Sequence, residues 1–115
     1  RAVAQEEPAG RGGSTAAADP RLIYANAAAL RLWRRPWAAM VGLPSRLTAE
    51  PAERQGREQL LALARRRQAI SGYRGVRIDG RGRRFVIDGA RLWTLRDAGG
   101  REHGQAAAFS HWWWL

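Results

Sequence analysis

No cysteine occurs in this chain of 115 residues, which removes disulfides, thiolate metal sites, cysteine nucleophiles and redox motifs together. Lysine is missing too: all 20 basic residues are arginine, set against 10 acidic ones for a net charge of +10. With 22 alanines and 13 glycines, that excess reflects GC-rich coding as much as selection for charge. Only two histidines are present. No stretch approaches the roughly 18 apolar residues that would cross a bilayer, and the N-terminus lacks an apolar signal core, so a soluble, cytoplasmic protein is expected. Because Arg1 stands where Met would, the chain reads as a fragment or a processed product.

What is present suits one core. The length is too short for two ordinary cores and above the size at which metals or disulfides become necessary. Composition shifts near residue 19. Arg1 to Ala18 carries Glu7-Pro8-Ala9-Gly10 and Arg11-Gly12-Gly13-Ser14 with Val3 as its one large apolar side chain, and is read as a flexible tail, with the folded domain over 19–115.

Past that boundary, Arg21-Leu22-Ile23-Tyr24-Ala25 reads as a short strand, and Asn26 as the N-cap of a helix over Ala27 to Trp33. Pro36 opens a second short helix that stops at Gly42. Pro51 to Ala69 is helical throughout, with Leu60, Leu63 and Ala64 on one stripe and Arg54, Arg57, Glu58 and Arg65 to Arg67 on the solvent side. Ser71-Gly72 is expected to end it. Then the period changes to two. Tyr73 to Ile78 and Phe85 to Ile87 form a hairpin around Asp79-Gly80-Arg81-Gly82, and a second turn at Asp97-Ala98-Gly99-Gly100 separates Arg91 to Leu95 from Gly104 to Phe109, which makes a three-stranded antiparallel meander. Strands at the ends with helices between them give an α+β fold, an antiparallel sheet with short helices and one longer helix on one face.

Specific blocks then point to a family. They are Ile23-Tyr24-Ala25-Asn26, Leu32-Trp33, Gly42-Leu43-Pro44-Ser45-Arg46-Leu47-Thr48-Ala49-Glu50-Pro51, Ile70-Ser71-Gly72-Tyr73, Gly82-Arg83-Arg84-Phe85, Trp93 with Leu95-Arg96-Asp97, and His103-Gly104-Gln105-Ala106-Ala107. In these the chain resembles the PAS superfamily, and more closely the PAS-like MEKHLA domain family of the bacterial stand-alone type. The resemblance runs from Asp19 to Leu115. It implies an apolar first strand just before Ala18-Asp19-Pro20, a place held here by Pro8 to Ser14, so the sheet edge is expected to be frayed or the N-terminal part of a truncated strand to be missing.

The residues themselves offer little chemistry. Gly80-Arg81-Gly82 precedes a strand and reads as a hairpin turn, not a phosphate loop. His103 and His111 have no partners at metal-ligand spacing. Ser110, His111 and Asp97 contain the residue types of a hydrolase triad without a nucleophile elbow to present the hydroxyl. Glu50 and Glu53 sit where acidic side chains favour a helix dipole. No catalytic or metal site is expected.

What the resemblance implies about cofactors is also restrictive. PAS-like photosensors with covalent flavin or another covalent chromophore use a reactive cysteine, and PAS haem sensors place an axial histidine on the long helix, where this chain has none; His103 alone keeps haem from exclusion. A non-covalent small molecule, or no ligand, is expected between sheet and helices, against Tyr24, Trp33, Met40, Leu47, Leu63, Phe85, Ile87, Trp93 and Phe109. Plain core packing is the alternative use of those side chains.

Arg65-Arg66-Arg67 with Arg81, Arg83 and Arg84 could neutralise phosphates, yet no nucleic-acid motif or stacking strip accompanies them, so a solvated face is the simpler reading. Trp112, Trp113 and Trp114 cannot all point inward from one strand, which marks an interface. The sequence therefore indicates a sensory or regulatory module without catalysis, sensing a small molecule or docking a partner protein, a homodimer above all. A basic nucleic-acid-associated protein is the alternative, and a small enzyme a distant third.

Overall fold

The computed structural model describes residues 1–8 and 19–115. Strands β1 (Ala2–Glu6) and β2 (Leu22–Ala25) come first, followed by helix α1 (Ala27–Trp33), the single-turn α2 (Trp37–Met40), a 3₁₀ turn at Ser45–Thr48 and the long α3 (Pro51–Arg67). Four strands complete the chain: β3 (Ala69–Ile78), β4 (Arg84–Arg96), β5 (Glu102–Phe109) and β6 (His111–Trp114). All pair antiparallel in the order β2-β1-β5-β4-β3. The thirteen residues of β4 take β5 along Arg91 to Arg96 and β6 along Phe85 to Asp88. This is the α+β sheet-and-helix architecture expected from the element order. Among the described residues no helix is long and apolar enough to cross a membrane.

The N-terminal tail expected over residues 1–18 is corrected at its start. Ala2 to Glu6 forms an interior strand, with Ala4 opposite Ala25 on one side and Ala107 on the other. A segment poor in strand formers is held there by two hydrogen-bonded ladders, so pairing overrides propensity. Gly104 (φ +109°) permits the approach: a Cβ there would run into the Glu6 carbonyl. The rest of that expected tail, residues 9–18, lies outside the described residues.

Asn26 does cap α1, its side-chain oxygen accepting from the Ala29 N–H at 3.0 Å. The same oxygen accepts from Val3 N at 3.1 Å, and the amide nitrogen donates to the Arg1 carbonyl at 2.8 Å. One side chain thus fixes a helix start and the position of β1. The β3–β4 turn is docked similarly. Buried Asp79 accepts from the backbone N–H groups of Arg81 and Arg83, both at 2.8 Å, and faces Arg34 Nε at 3.1 Å, while Gly80 N donates to the Trp33 carbonyl at 2.8 Å.

The long helix stops at Arg67, not Ala69, because Gln68 takes φ +67° and the chain turns directly into β3. Its buried stripe is Leu61 and Ala64, one position away from the expected Leu60 and Leu63, which are half-buried. Arg57, expected in solvent, lies on this same inward stripe four residues before Leu61. The core centres on Trp33, which meets Phe85 and Phe109 edge-on at 5.2 and 5.9 Å between ring centroids, contacts worth about 0.5–1.5 kcal/mol each beyond area burial.

Candidate functional site

A cavity of ≈ 60 Å³ lies between the sheet and α3. On the helical side it meets Trp33, Met40, Thr48, Arg57 and Leu61; the sheet contributes Ala4 and Glu6 from β1, Leu22 from β2, Tyr73 and Arg77 from β3, Ile87, Ala90 and Leu92 from β4, and Gln105 and Phe109 from β5. Most of this wall is apolar, with four charged or amide side chains set into it.

Glu6 and Arg57 pair at 2.8 Å with both side chains nearly buried. Gln105 donates to the Leu61 carbonyl at 2.8 Å, and Thr94, beside it in the sheet, donates to the Ala64 carbonyl at 3.3 Å, so the sheet grips α3 through two helix carbonyls. Arg77 is the exception among these polar groups. It is 6 % exposed, its Nη1 donates to the Val76 carbonyl at 2.8 Å, and its guanidinium carbon lies 5.4 Å from the centre of the Tyr73 ring. No carboxylate pairs with it among the described residues, and residues 9–18 contain neither Asp nor Glu. Burial pushes the pKa of Arg77 down and the charge of Arg57 adds to the depression, while Tyr73, by hydrogen bond and charge, and the more remote carboxylate of Glu53 oppose it. The Tyr73 ring folds back over Gly75, where a Cβ would collide with it, so glycine at 75 sets the ring that faces Arg77.

Of the nine side chains expected to face such a space, Trp33, Met40, Ile87 and Phe109 line it. Tyr24 does not; it sits on edge strand β2, 42 % exposed, against Trp37 at 6.0 Å. Leu47 is half-buried in the 3₁₀ turn, and its neighbour Thr48 reaches the cavity instead. Leu63 is rotated off the inward stripe. Phe85 is wholly buried but packs between Trp33, Trp112 and Trp114, away from the cavity. Trp93 points to the opposite face of the sheet under Arg91. The cause is Gly89 at φ +65°: Phe85 and Ile87 face the helices, and past the glycine the inward positions become Ala90, Leu92 and Thr94. Sequence reasoning missed Glu6, placed in the tail, Arg57, placed on the solvent side of α3, and Arg77 and Gln105, placed in strands but not among the large apolar side chains expected to face the cavity. The inward parity shared by Tyr73, Gly75 and Arg77 was the available signal.

The three terminal tryptophans divide as expected for a strand. Trp112 and Trp114 share the helix-covered side, where they form one wall of an open crevice of ≈ 250 Å³ against Ala28, Arg31 and Leu32. Trp114 is held between Arg34 and Arg83, at 5.1 and 4.3 Å from its ring centre, and against Phe85 at 5.6 Å. It is part of the core periphery, not a free anchor. Trp113, 43 % exposed, faces the outer side next to Val86, with Arg74 5.4 Å over its ring.

His103 stands outside the cavity, its Nε2 3.0 Å from Asp97 Oδ2 on the exposed β4–β5 turn. The hydrogen bond to His103, with backbone donors at Arg101 and Gly99, holds the Asp97 pKa below its usual value. A depressed carboxylate stabilises the fold above its unfolded pKa of about 3.9, and that stabilisation is lost as pH falls through the folded value. The stability gap between wild type and Asp97→Asn is therefore expected to narrow from pH 5 to pH 2.5 in urea melts. Asp88, depressed by Arg74, titrates in the same range in both proteins and cancels from the comparison. A gap constant with pH would refute the assignment.

The model of the MEKHLA domain matches residues 13–114. No curated protein sequence matches the chain. Among solved structures, a light-oxygen-voltage domain studied with a flavin analogue superposes with a TM-score of 0.73 at 14 % identity, over 100 % of this chain and 77 % of that one. A PAS domain from Colwellia psychrerythraea gives 0.75 at 12 % identity, over 92 % and 80 %. The dark structure of the light-oxygen-voltage domain of the blue-light photoreceptor Aureochrome1 gives 0.69 at 16 % identity, over 94 % and 72 %. At such identities these likenesses establish the fold, a PAS-like one.

Proposed function

The chain belongs to the MEKHLA domain family, and from that premise we propose that it is a sensory module, without catalysis of its own, that binds a small molecule non-covalently in the cavity and signals through self-association. The observation that carries this is the cavity itself, an apolar chamber with a few convergent polar groups, as ligand sites are built. The flavin named with one of the structural neighbours fits poorly: ≈ 60 Å³ is well under the roughly 150 Å³ that holds benzene, and a flavin has three fused rings. A smaller ligand suits this packing.

A route from cavity to surface is available in contiguous aromatic contacts. Trp33 lines the cavity and meets Phe85, and Phe85 meets Trp114 at 5.6 Å and Trp112 at 6.3 Å. Repacking of Trp33 around a ligand would move the strand that carries Trp113 on its outer side. A ligand shifts such an equilibrium only by the difference in its affinity for the two packings. Docking of a second copy is assigned to the helix-free face, where Trp113 lies beside Val86.

Native mass spectrometry of the purified protein tests both parts together. The expected spectrum shows a dimer at micromolar concentration and a small molecule released on gentle activation, with Trp113→Ala weakening the dimer about tenfold or more, as loss of a central aromatic anchor does. A ligand-free monomer at every concentration would overturn the reading.

A further inference from the structure

The chemical class of the ligand rests on Arg77, a buried cation that no carboxylate pairs with among the described residues. Three ionised side chains face the cavity; Glu6 and Arg57 neutralise each other at 2.8 Å, which leaves Arg77 in excess. A charge removed from water is costly unless it is paired, and buried arginines ordinarily meet a carboxylate or phosphate in a planar fork. Here one of five N–H donors is spent on the Val76 carbonyl, Tyr73 offers its ring face and its hydroxyl oxygen, and Glu53 acts on the charge without pairing to it, so the planar fork meets no carboxylate. A second orphan lines the same cavity from the helical side: the buried indole N–H of Trp33 has no acceptor among the described residues. Both unmet groups are donors. Volume limits the rest. At roughly 10–15 Å³ for each water-sized group, ≈ 60 Å³ admits about four to six of them. The remaining wall, with Met40, Leu61, Ile87 and Phe109, suits a short hydrocarbon stub and not a second charge.

We propose that the cavity takes a short-chain monocarboxylate, with Arg77 as its anchor and the stub against the apolar wall. This rests on the reading of the cavity as a ligand site. It accounts for a guanidinium kept where an apolar side chain would cost less.

Thermal melts at constant ionic strength, with acetate, propionate or butyrate against propionamide and inorganic phosphate, test it. Propionate is expected to raise Tm in a saturable way, and propionamide, its neutral counterpart, to leave it unchanged. Arg77→Met should melt no lower than wild type without additive, because an uncompensated charge is gone, and should lose the response to propionate. Arg77→Lys, which keeps the charge, guards against misfolding of the first variant and should weaken apparent affinity about tenfold or more through loss of the fork. An equal response to propionamide, or a propionate response that survives in Arg77→Met, overturns the proposal. So does a wild type unmoved by any of the three acids while Arg77→Met melts far lower, since that makes Arg77 a structural residue. If native mass spectrometry finds a neutral molecule bound, the sensory reading stands and the carboxylate falls; if neither that nor the melts show a ligand, both fall.

Discussion

Replacing Arg57 by Met is expected to lower stability by about 3–5 kcal/mol in urea denaturation at neutral pH. The loss comes less from the bond at 2.8 Å than from what remains: Glu6 keeps its buried position in β1 with no cation against it. The second half of the cycle separates this from lost packing. Glu6→Met in the Arg57→Met background should recover most of the deficit, because a buried ion pair exchanged for apolar side chains of similar volume is often neutral. A single-variant loss under about 1 kcal/mol would show that Glu6 finds another cation, Arg77 sharing the same cavity. Failure of the double variant to recover would assign the loss to packing of α3 on the sheet.

The other large effect is expected at Gly104. Its φ of +109° suits glycine, and a Cβ there collides with backbone, the Glu6 carbonyl, which cannot rotate away as a side chain would. Gly104→Ala combines backbone strain of about 1–3 kcal/mol with an overpacking cost of similar size, and should open the β1–β5 ladder locally. Gly42→Ala is the control. Gly42 has φ +92° with nothing within 4 Å of the new Cβ, so it registers strain alone. Hydrogen exchange at Ala4 and Glu6 rising in Gly104→Ala but not in Gly42→Ala is the expected pattern; equal effects would refute the collision.

Much of this architecture is legible in the residues. Asn26 marks the start of α1, and Ala27 to Trp33 is the observed helix, because capping and propensity act locally and agree there. The turns at Asp79 and Asp97 are legible for the same reason: each carboxylate bonds backbone N–H groups two and four residues on. Strand β1 is hidden because Val3 is the one strand former in Ala2 to Glu6, and its partners lie far away in sequence. The candidate site is half visible. Trp33, Met40, Ile87 and Phe109 follow from size and apolarity, whereas Trp93 is misplaced by a parity switch at Gly89, which a strictly alternating pattern does not anticipate. Arg57, Arg77 and Glu6 stay invisible because a charged residue declares its burial only through the partner, or the vacancy, that tertiary structure puts beside it.

The interior position of β1 also bears on how the chain acquires its shape. Ala2 lies opposite Phe109, so this ladder closes a loop of nearly the whole chain, and the sheet becomes continuous from β2 to β3 only when it forms. Contacts of such high sequence separation slow folding, since the entropy of closure comes before the reward. On a ribosome, α1, α3 and the β3–β4 hairpin can form while β1 still waits for β5, its edge unpaired and sticky. The strand made earliest of these six is thus among the last to be fully paired, and a chaperone that shields Ala2 to Glu6 during translation would raise the yield of folded protein more than one acting on any helix.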